Sequence, residues 1–166
     1  MRRVGWYLAL AFLGFLTFRS LSSGCAGALP EVGSPAPAFS AAGPEGPAQW
    51  SSSGFEGQPH VLLFFATWCS ACSRELPAVD RIHREHPELG IVLVTDEPVE
   101  VATAYLKKRG LEIPLAGSAG DVLRAHGVAV LPSAVAVDAT GKVAAASQGG
   151  GAMGRVLHKA VRAVAP

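Results

Sequence analysis

A cysteine pair that joins a buried strand to a helix constrains this chain more than any other feature. The run HVLLFFA, residues 60–66, is continuously apolar and rich in aromatic and β-branched side chains, which predicts a strand covered on both faces. WCSAC follows at once, and residues 73–86 then place apolar side chains at helical spacing. We therefore expect Cys69 and Cys72 at the junction between a central strand and the N-terminus of a helix.

That position favours redox chemistry. Unpaired backbone N–H groups and the helix dipole favour a negative charge at a helix N-terminus, so the Cys69 thiolate is stabilised and its pKa is expected to fall. Cys72 lies one turn further along the same helix face and can attack a mixed disulfide formed at Cys69. The spacing therefore predicts a pair that alternates between a dithiol and a disulfide.

Two other roles for the pair stay open. A structural disulfide is one, although such bonds more often join distant segments and close longer loops. A zinc site is the other, but it needs four ligands, and the sequence has neither a second CxxC motif nor paired histidines at ligand spacing. We therefore favour redox exchange and expect no metal or other cofactor.

The rest of the chain alternates strands and helices. Residues 91–95 predict a second buried strand, and residues 99–110 predict a helix that ends at a glycine. This order predicts a parallel βαβ unit. Residues 120–128 predict a short helix, SAVAVD and KVAAAS predict an antiparallel hairpin around ATG, and residues 152–164 predict a closing amphipathic helix.

The segment before the first core strand is rich in Gly, Pro, Ala and Ser, which interrupt regular structure. Within it, GSPAPAF (33–39) and AQWSSS (48–53) predict two short strands around a turn at GPEG. We assign residues 26–32 to a tether and residues 33–166 to one folded domain, a common domain size.

The first 25 residues predict an export signal or a membrane anchor. Arg2 and Arg3 precede an apolar stretch over residues 4–18, which is shorter than the ~20 residues that span a bilayer comfortably and typical of a signal-peptide core. Cys25 is a candidate lipidation site, although Ser22 stands where such sites carry a large aliphatic residue. Cleavage after the small residues beyond Cys25 is the alternative. In each case we expect the domain outside the cytoplasm of a bacterium, and we favour a membrane-associated protein on the periplasmic side.

The charge distribution does not suit a nucleic-acid-binding protein. Without residues 1–25, 11 basic residues stand against 13 acidic ones, and no clustered basic face of the kind that contacts phosphates is present in the sequence. We therefore expect no nucleic-acid partner.

The segment FFATWCSACSRELP resembles the active-site segment of thioredoxin-like proteins, in particular the TlpA/ResA-like branch. The resemblance continues through GSPAPAF, through DVLRAHGVAVLPSAVAVDATGKV and into the final helix, and covers about residues 33–164. It implies an α/β thioredoxin fold of order βαβαββα, with a mixed central sheet flanked by helices. An N-terminal β-hairpin extension and an insertion before the terminal hairpin complete the expected fold.

The resemblance also implies thiol-disulfide exchange with other proteins and assigns roles around the cysteines. Pro132 matches the family's cis-proline, which would leave the backbone of Leu131 free to bind a substrate chain. Trp68 is expected to pack over the motif and to contact substrate. Exported cysteine-containing proteins, among them apocytochromes c, are the implied partners, with a membrane thiol reductase as the electron donor.

Two positions depart from the pattern of these relatives. Cytoplasmic thioredoxins carry a buried Asp where this chain has Leu63, so that proton acceptor is missing. Glu75, three residues after Cys72, matches an acidic residue of ResA-like members and is the candidate proton carrier for Cys72. Ala71 replaces the proline that many relatives have before the second cysteine, so the sequence leaves the redox direction open.

Two rival functions remain at this stage. A peroxiredoxin-like peroxide reductase shares GSPAPAF and the sheet, but Thr67 lies two residues before Cys69 rather than three. A non-enzymatic module that captures copper or holds a partner through its cysteines is the other. Trp68 and Cys72 fit disulfide exchange better than peroxide reduction, and we expect a reductant of protein disulfides.

Overall fold

The computed structural model describes residues 27–164. The strands of its main sheet are β3 (His60–Phe64), β4 (Gly90–Val94), β5 (Leu115–Ala116), β6 (Ser133–Val137) and β7 (Val143–Gln148). They lie in the order β5-β4-β3-β6-β7, in which β3, β4 and β5 are parallel, while β6 runs antiparallel to β3 and β7 antiparallel to β6. The predicted mixed sheet is confirmed.

Within residues 27–164, four α-helices flank this sheet. They are α1 (Ser70–Glu85), α2 (Val99–Lys108), α3 (Gly120–Ala125) and α4 (Ala152–Val164). The order β3-α1-β4-α2 and then β6-β7-α4 is the predicted βαβαββα arrangement, and β5 with α3 forms the predicted insertion before the terminal hairpin.

Strand β3 lies at the centre of two hydrophobic layers. Val61 and Leu63 belong to the layer formed with α1, α2 and α4, whereas Leu62 and Phe64 belong to the layer on the other face of the sheet. Side chains of a strand alternate between faces, so the continuous apolar run reflects burial on both sides. This explains why the sequence of β3 shows no polar alternation.

The N-terminal hairpin forms, but its first strand begins later than predicted. It consists of β1 (Ser40–Gly43) and β2 (Gly46–Ser51), which follow GSPAPAF instead of including it. Pro35 and Pro37 have no N–H for a hairpin ladder. The beginning of that stretch instead lies beside the start of β7, where Gly33 N–H donates to the carbonyl of Val143 at 2.8 Å.

The hairpin covers the β5 edge of the main sheet. Gly117 N–H donates to the carbonyl of Ala42 at 3.0 Å, and the indole N–H of Trp50 donates to the carbonyl of Leu115 at 2.7 Å. An exposed strand edge invites pairing with other chains. The extension therefore completes the domain at this edge.

Three loops meet at the end of the sheet that is formed by the carboxyl ends of the parallel strands. Strands β3 and β4 end there, and β6 begins there because Ser133 pairs with Phe64. Residues 65–69, 95–98 and 131–132 therefore converge.

None of the helices between residues 27 and 164 is long and apolar enough to cross a membrane.

Candidate active site

Cys69 and Cys72 are joined by a disulfide at the start of α1, with their Cα atoms 5.3 Å apart. Cys69 is the N-cap residue of the helix, and its sulfur accepts the backbone N–H of Cys72 at 3.1 Å. The sulfur thus occupies the place that a Ser, Thr or Asp oxygen usually takes at a helix start. The predicted placement at a strand–helix junction is confirmed.

The two cysteines differ in access. Cys69 is 7% exposed, whereas Cys72 is fully buried at 0%. Both sulfurs belong to the hydrophobic layer between the sheet and α1. A partner can therefore reach the disulfide only from the Cys69 side.

The peptide bond between Leu131 and Pro132 is cis, as expected. Pro132 is buried and directly precedes β6, and its carbonyl accepts the N–H of Gly149 at 2.8 Å. The amide and the carbonyl of Leu131 have no hydrogen-bond partner within residues 27–164. Leu131 packs against the hydrophobic layers on both faces of the sheet. Since Ser133 pairs with Phe64, the free backbone groups of Leu131 lie at the end of the sheet from which the cysteine motif leaves β3.

Trp68 does not pack over the cysteine motif, so that expectation is wrong. Its side chain is 74% exposed, while Cys69 next to it is almost covered. The cysteines are buried instead within the hydrophobic layer that also contains Leu76 and Ala134. Val130, two residues before Pro132, is also exposed. Exposed apolar side chains therefore stand next in sequence to Cys69 and to Leu131.

Glu75 reaches the last helix rather than the sulfurs. Its carboxylate accepts the N–H of Gly151 at 2.8 Å and the N–H of Gly154 at 3.1 Å, at the N-terminus of α4. The side chain is half-buried. Unpaired N–H groups and the dipole at a helix start favour such a carboxylate. Glu75 thus ties the active-site helix to α4, and its role as a proton carrier stays a prediction.

A second carboxylate, which the sequence analysis missed, lies at this edge of the sheet. Glu97, in the loop after β4, accepts both the backbone N–H and the hydroxyl of Thr67, each at 2.6 Å. Leu63, where cytoplasmic thioredoxins have an Asp, is fully buried in β3. Adjacent parallel strands end at the same edge, so the position of Glu97 just after β4 was a usable signal.

Two buried histidines lie away from the cysteines. His60 begins β3, at the end of the strand opposite the disulfide, and His126 follows α3. Burial lowers the pKa of both rings, and for His60 the proximity of His126 lowers the pKa further. Nδ1 of His126 lies 2.9 Å from the carbonyl of Val122, so it carries the proton, because a carbonyl can only accept.

The family model described as Redoxin matches residues 31–159. The chain belongs to the redoxin family. Among the relatives of this redoxin, the thiol-disulfide oxidoreductase ResA of Geobacillus thermodenitrificans is 30% identical over 147 residues, which cover 86% of this chain and 83% of that protein. ResA of Bacillus thuringiensis is 29% identical over 117 residues, covering 68% and 67%.

Solved structures agree on the fold. A thiol:disulfide interchange protein of the thioredoxin family from Chlorobium tepidum superposes with a TM-score of 0.64 at 24% identity, over 80% of this chain and 99% of that chain. This redoxin therefore has the thioredoxin fold and is a ResA-like thiol-disulfide oxidoreductase. Cys25 and the predicted export signal lie outside the described residues.

Proposed function

We propose that this protein reduces disulfides of exported proteins on the outer side of a bacterial cytoplasmic membrane, with Cys69 as nucleophile and Cys72 as resolving cysteine. The observation that carries the assignment is the asymmetric pair at the start of α1. Only Cys69 is reachable from solvent, and its sulfur is the one that accepts a backbone N–H at 3.1 Å. A thiolate at Cys69 would keep this N–H as a stabilising donor.

The exchange proceeds in two displacements. The Cys69 thiolate attacks one sulfur of the substrate disulfide, which forms a mixed disulfide and releases the other substrate sulfur as a thiolate. The Cys72 thiol gives its proton to a base, for which Glu75 is the candidate, and the resulting thiolate attacks the Cys69 sulfur, which releases the second substrate sulfur as a thiolate. The carboxyl group of Glu75 returns its proton to solvent, and the substrate thiolates take up protons from solvent. Two electrons pass to the substrate, and Cys69 and Cys72 end in the disulfide found in the structure.

The surface beside the disulfide suits an extended polypeptide. The unpaired amide and carbonyl of Leu131 can pair with one residue of a substrate chain, as an added strand pairs with a sheet edge. The exposed indole of Trp68 and the side chain of Val130 offer apolar contacts on either side. These residues form the proposed docking surface.

The N-terminal sequence supports the proposed location, and the proposed partners rest on the resemblance to TlpA/ResA-like proteins. Arg2, Arg3 and the apolar stretch over residues 4–18 support export. A dedicated reductant is needed where disulfides form readily. We assign apocytochromes c and other exported cysteine proteins as substrates, and a membrane thiol reductase as the source of electrons.

The redox direction is tested by equilibrating the full chain with glutathione at defined ratios and quantifying the Cys69–Cys72 disulfide by mass spectrometry. A reductant is expected to have a potential nearer to the ~−270 mV of thioredoxin than to the ~−120 mV of DsbA. A value near the oxidising end would reverse the proposed direction.

The location is tested by protease treatment of bacterial spheroplasts that express the full chain. We expect the domain to be digested in intact spheroplasts, and a variant that lacks residues 1–25 to be protected. Lipidation is tested by labelling with a radioactive fatty acid, with Cys25→Ser as the control. Protection of the full chain would contradict the proposed location.

A further inference from the structure

A carboxylate from the neighbouring strand holds the segment that leads into the cysteine motif. Glu97 accepts the backbone N–H of Thr67 through Oε2 and its hydroxyl through Oε1, both at 2.6 Å. Hydrogen bonds to an ionised carboxylate are shorter and stronger than those between neutral groups. Thr67 lies two residues before Cys69, so this contact fixes the chain immediately upstream of the nucleophile.

Glu97 is itself held from two sides. The hydroxyl of Thr95 donates to Oε2 at 3.3 Å, and the N–H of Ser118 donates to the carbonyl of Glu97 at 2.8 Å. Ala119 N–H also donates to the carbonyl of Thr95 at 2.9 Å. Ser118 and Ala119 lie between β5 and α3. The insertion therefore supports the loop from which the carboxylate reaches Thr67.

The segment between Thr67 and the helix is short. The N–H of Cys69 donates to the carbonyl of Ala66 at 3.1 Å, which closes a turn around Thr67 and Trp68. A change at Thr67 therefore alters where the Cys69 sulfur lies relative to the N–H of Cys72. It also moves Trp68, whose exposed side chain belongs to the docking surface.

We propose that Glu97 is a positioning residue for thiol-disulfide exchange, which acts through Thr67 and holds the loop that presents Cys69. This inference rests on the proposed role of Cys69 as nucleophile. In this role Glu97 acts through Thr67 and makes no direct contact with the sulfur of Cys69 or Cys72. It keeps the N-cap geometry of Cys69, and the insertion formed by β5 and α3 keeps the carboxylate in place.

Glutamine separates the hydrogen bonds from the charge. In Glu97→Gln the amide oxygen can accept the N–H of Thr67, while the amide NH₂ can donate to the Thr67 hydroxyl oxygen. Glu97→Ala removes both contacts and the charge. Glu100→Ala is the matched control, because Glu100 is an exposed glutamate in the first turn of α2.

The experiment uses the full chain in detergent, reduced beforehand. The rate at which oxidised glutathione converts Cys69 and Cys72 to their disulfide is measured at pH 7 by mass spectrometry, together with the pH midpoint of Cys69 alkylation by iodoacetamide and the melting temperature. For Glu97→Ala we expect a rate at least about tenfold lower, because a small misplacement of a reacting group is enough for such a loss. Its alkylation midpoint is expected to rise toward that of a free cysteine, near ~8.5.

Glu97→Gln is expected to stay within about twofold of the native rate and to keep the native midpoint, since both hydrogen bonds to Thr67 can form again. Glu100→Ala is expected to match the native chain. A purely structural role would lower the melting temperature of Glu97→Ala but leave its rate and its midpoint unchanged. That result would overturn the proposal, as would an equal loss of rate in Glu97→Gln and Glu97→Ala.

Thr67 provides a second route if Glu97→Ala fails to fold. Thr67→Val keeps the backbone N–H and the side-chain shape but loses the hydroxyl, and is expected to react about threefold more slowly, the effect of one hydrogen bond. Thr67→Ser is expected to restore the rate, and native rates in both variants would overturn the proposal. A native chain that does not react with oxidised glutathione would refute the proposed function itself, whereas an active native chain with unaffected variants refutes only the role of Glu97.

Discussion

Glu75 on the active-site helix accepts the backbone N–H of Gly151 at 2.8 Å, so α1 closes the N-terminus of α4. The second carboxylate oxygen accepts the N–H of Gly154 at 3.1 Å. Glycines at 149–151 lie in this turn, and Gly149 and Gly151 have φ near +80°, a conformation that side chains other than glycine adopt with difficulty. The helix that carries the cysteines is thereby fixed to the last element of the fold.

Removing this cap is expected to destabilise the protein. Glu75→Ala leaves two N–H groups at the helix start without a protein acceptor, and we expect a loss of about 1–2 kcal/mol in the free energy of unfolding. Urea denaturation at pH 7 measures it. Glu85→Gln, an exposed position on the same helix, is the control and is expected to change stability by less than about 0.5 kcal/mol. An equal effect of both variants would contradict the cap.

The proton-carrier role predicted for Glu75 is separable from the cap. In Glu75→Gln the amide oxygen still accepts an N–H but cannot take a proton from Cys72. We expect the release of a mixed disulfide to slow by about tenfold or more at pH 7, and the loss to vanish above about pH 9, where a free thiol ionises unaided. Quenched-flow mass spectrometry measures this step. If Glu75→Gln slowed this step to the same extent at every pH, Glu75 would only cap α4 and would not carry the proton of Cys72.

His60 and His126 make stability depend on pH. Burial lowers the pKa of both rings below the ordinary 6.5, so the unfolded chain binds protons first as the pH falls. The contribution of these two rings to the free energy of unfolding is therefore essentially complete above about pH 7 and is expected to decrease by about 1–2 kcal/mol between pH 7 and pH 5.5. Denaturation at a series of pH values gives the slope.

His126→Phe tests the source of that slope. The ring of His126 lies beside Phe39 and Phe64, with centroids 6.4 and 5.4 Å away, so a Phe ring fits the same aromatic surroundings. We expect about half of the pH dependence to disappear, because one of two such groups is removed. His158→Gln, an exposed position on α4, is expected to leave it unchanged. An undiminished slope in His126→Phe would show that other groups cause it.

The exposed indole of Trp68 is expected to contribute to the binding of protein substrates rather than to the stability of the fold. Trp68→Ala should change the free energy of unfolding by less than about 0.5 kcal/mol, because the side chain is 74% exposed. The KM for insulin is expected to rise at least about fivefold, the effect of losing an aromatic contact, with the rate toward oxidised glutathione unchanged. Val101→Ala, another exposed apolar position, is the control. An unchanged KM would remove Trp68 from the docking surface.

Local patterns predicted the elements that position the site. The apolar run of β3 and the helical spacing after Cys72 set the strand–helix junction, because burial on both faces and a 3.6-residue period leave direct traces in a sequence. The first strand of the hairpin was predicted too early because the stretch around Pro35 was interpreted as part of it, whereas Pro35 forms an isolated bridge with Lys142, just before β7. A proline shows that one backbone hydrogen bond of a strand is missing, but it does not show with which neighbouring strand the segment pairs.

Contacts across the fold were harder to predict. Trp68 follows a buried strand, yet its orientation depends on how Glu97 and Thr67 close the loop, which no local period encodes. Glu75 was placed near the cysteines by resemblance, but its link to Gly151 joins residues 76 positions apart. Such pairs follow from topology, and only the shared edge of β3 and β4 gave a hint of Glu97.

The division of labour between the two cysteines is tested most directly by trapping the mixed disulfide. The full chain carrying Cys72→Ser is reduced, mixed with oxidised glutathione, quenched with acid and analysed by mass spectrometry, alongside Cys69→Ser and the native chain. We predict a stable adduct on Cys69 in Cys72→Ser, no accumulated adduct on Cys69 or Cys72 in the native chain, and little reaction at Cys72 in Cys69→Ser, because Cys72 is fully buried. An adduct that forms on Cys72 as fast as on Cys69 would contradict the account.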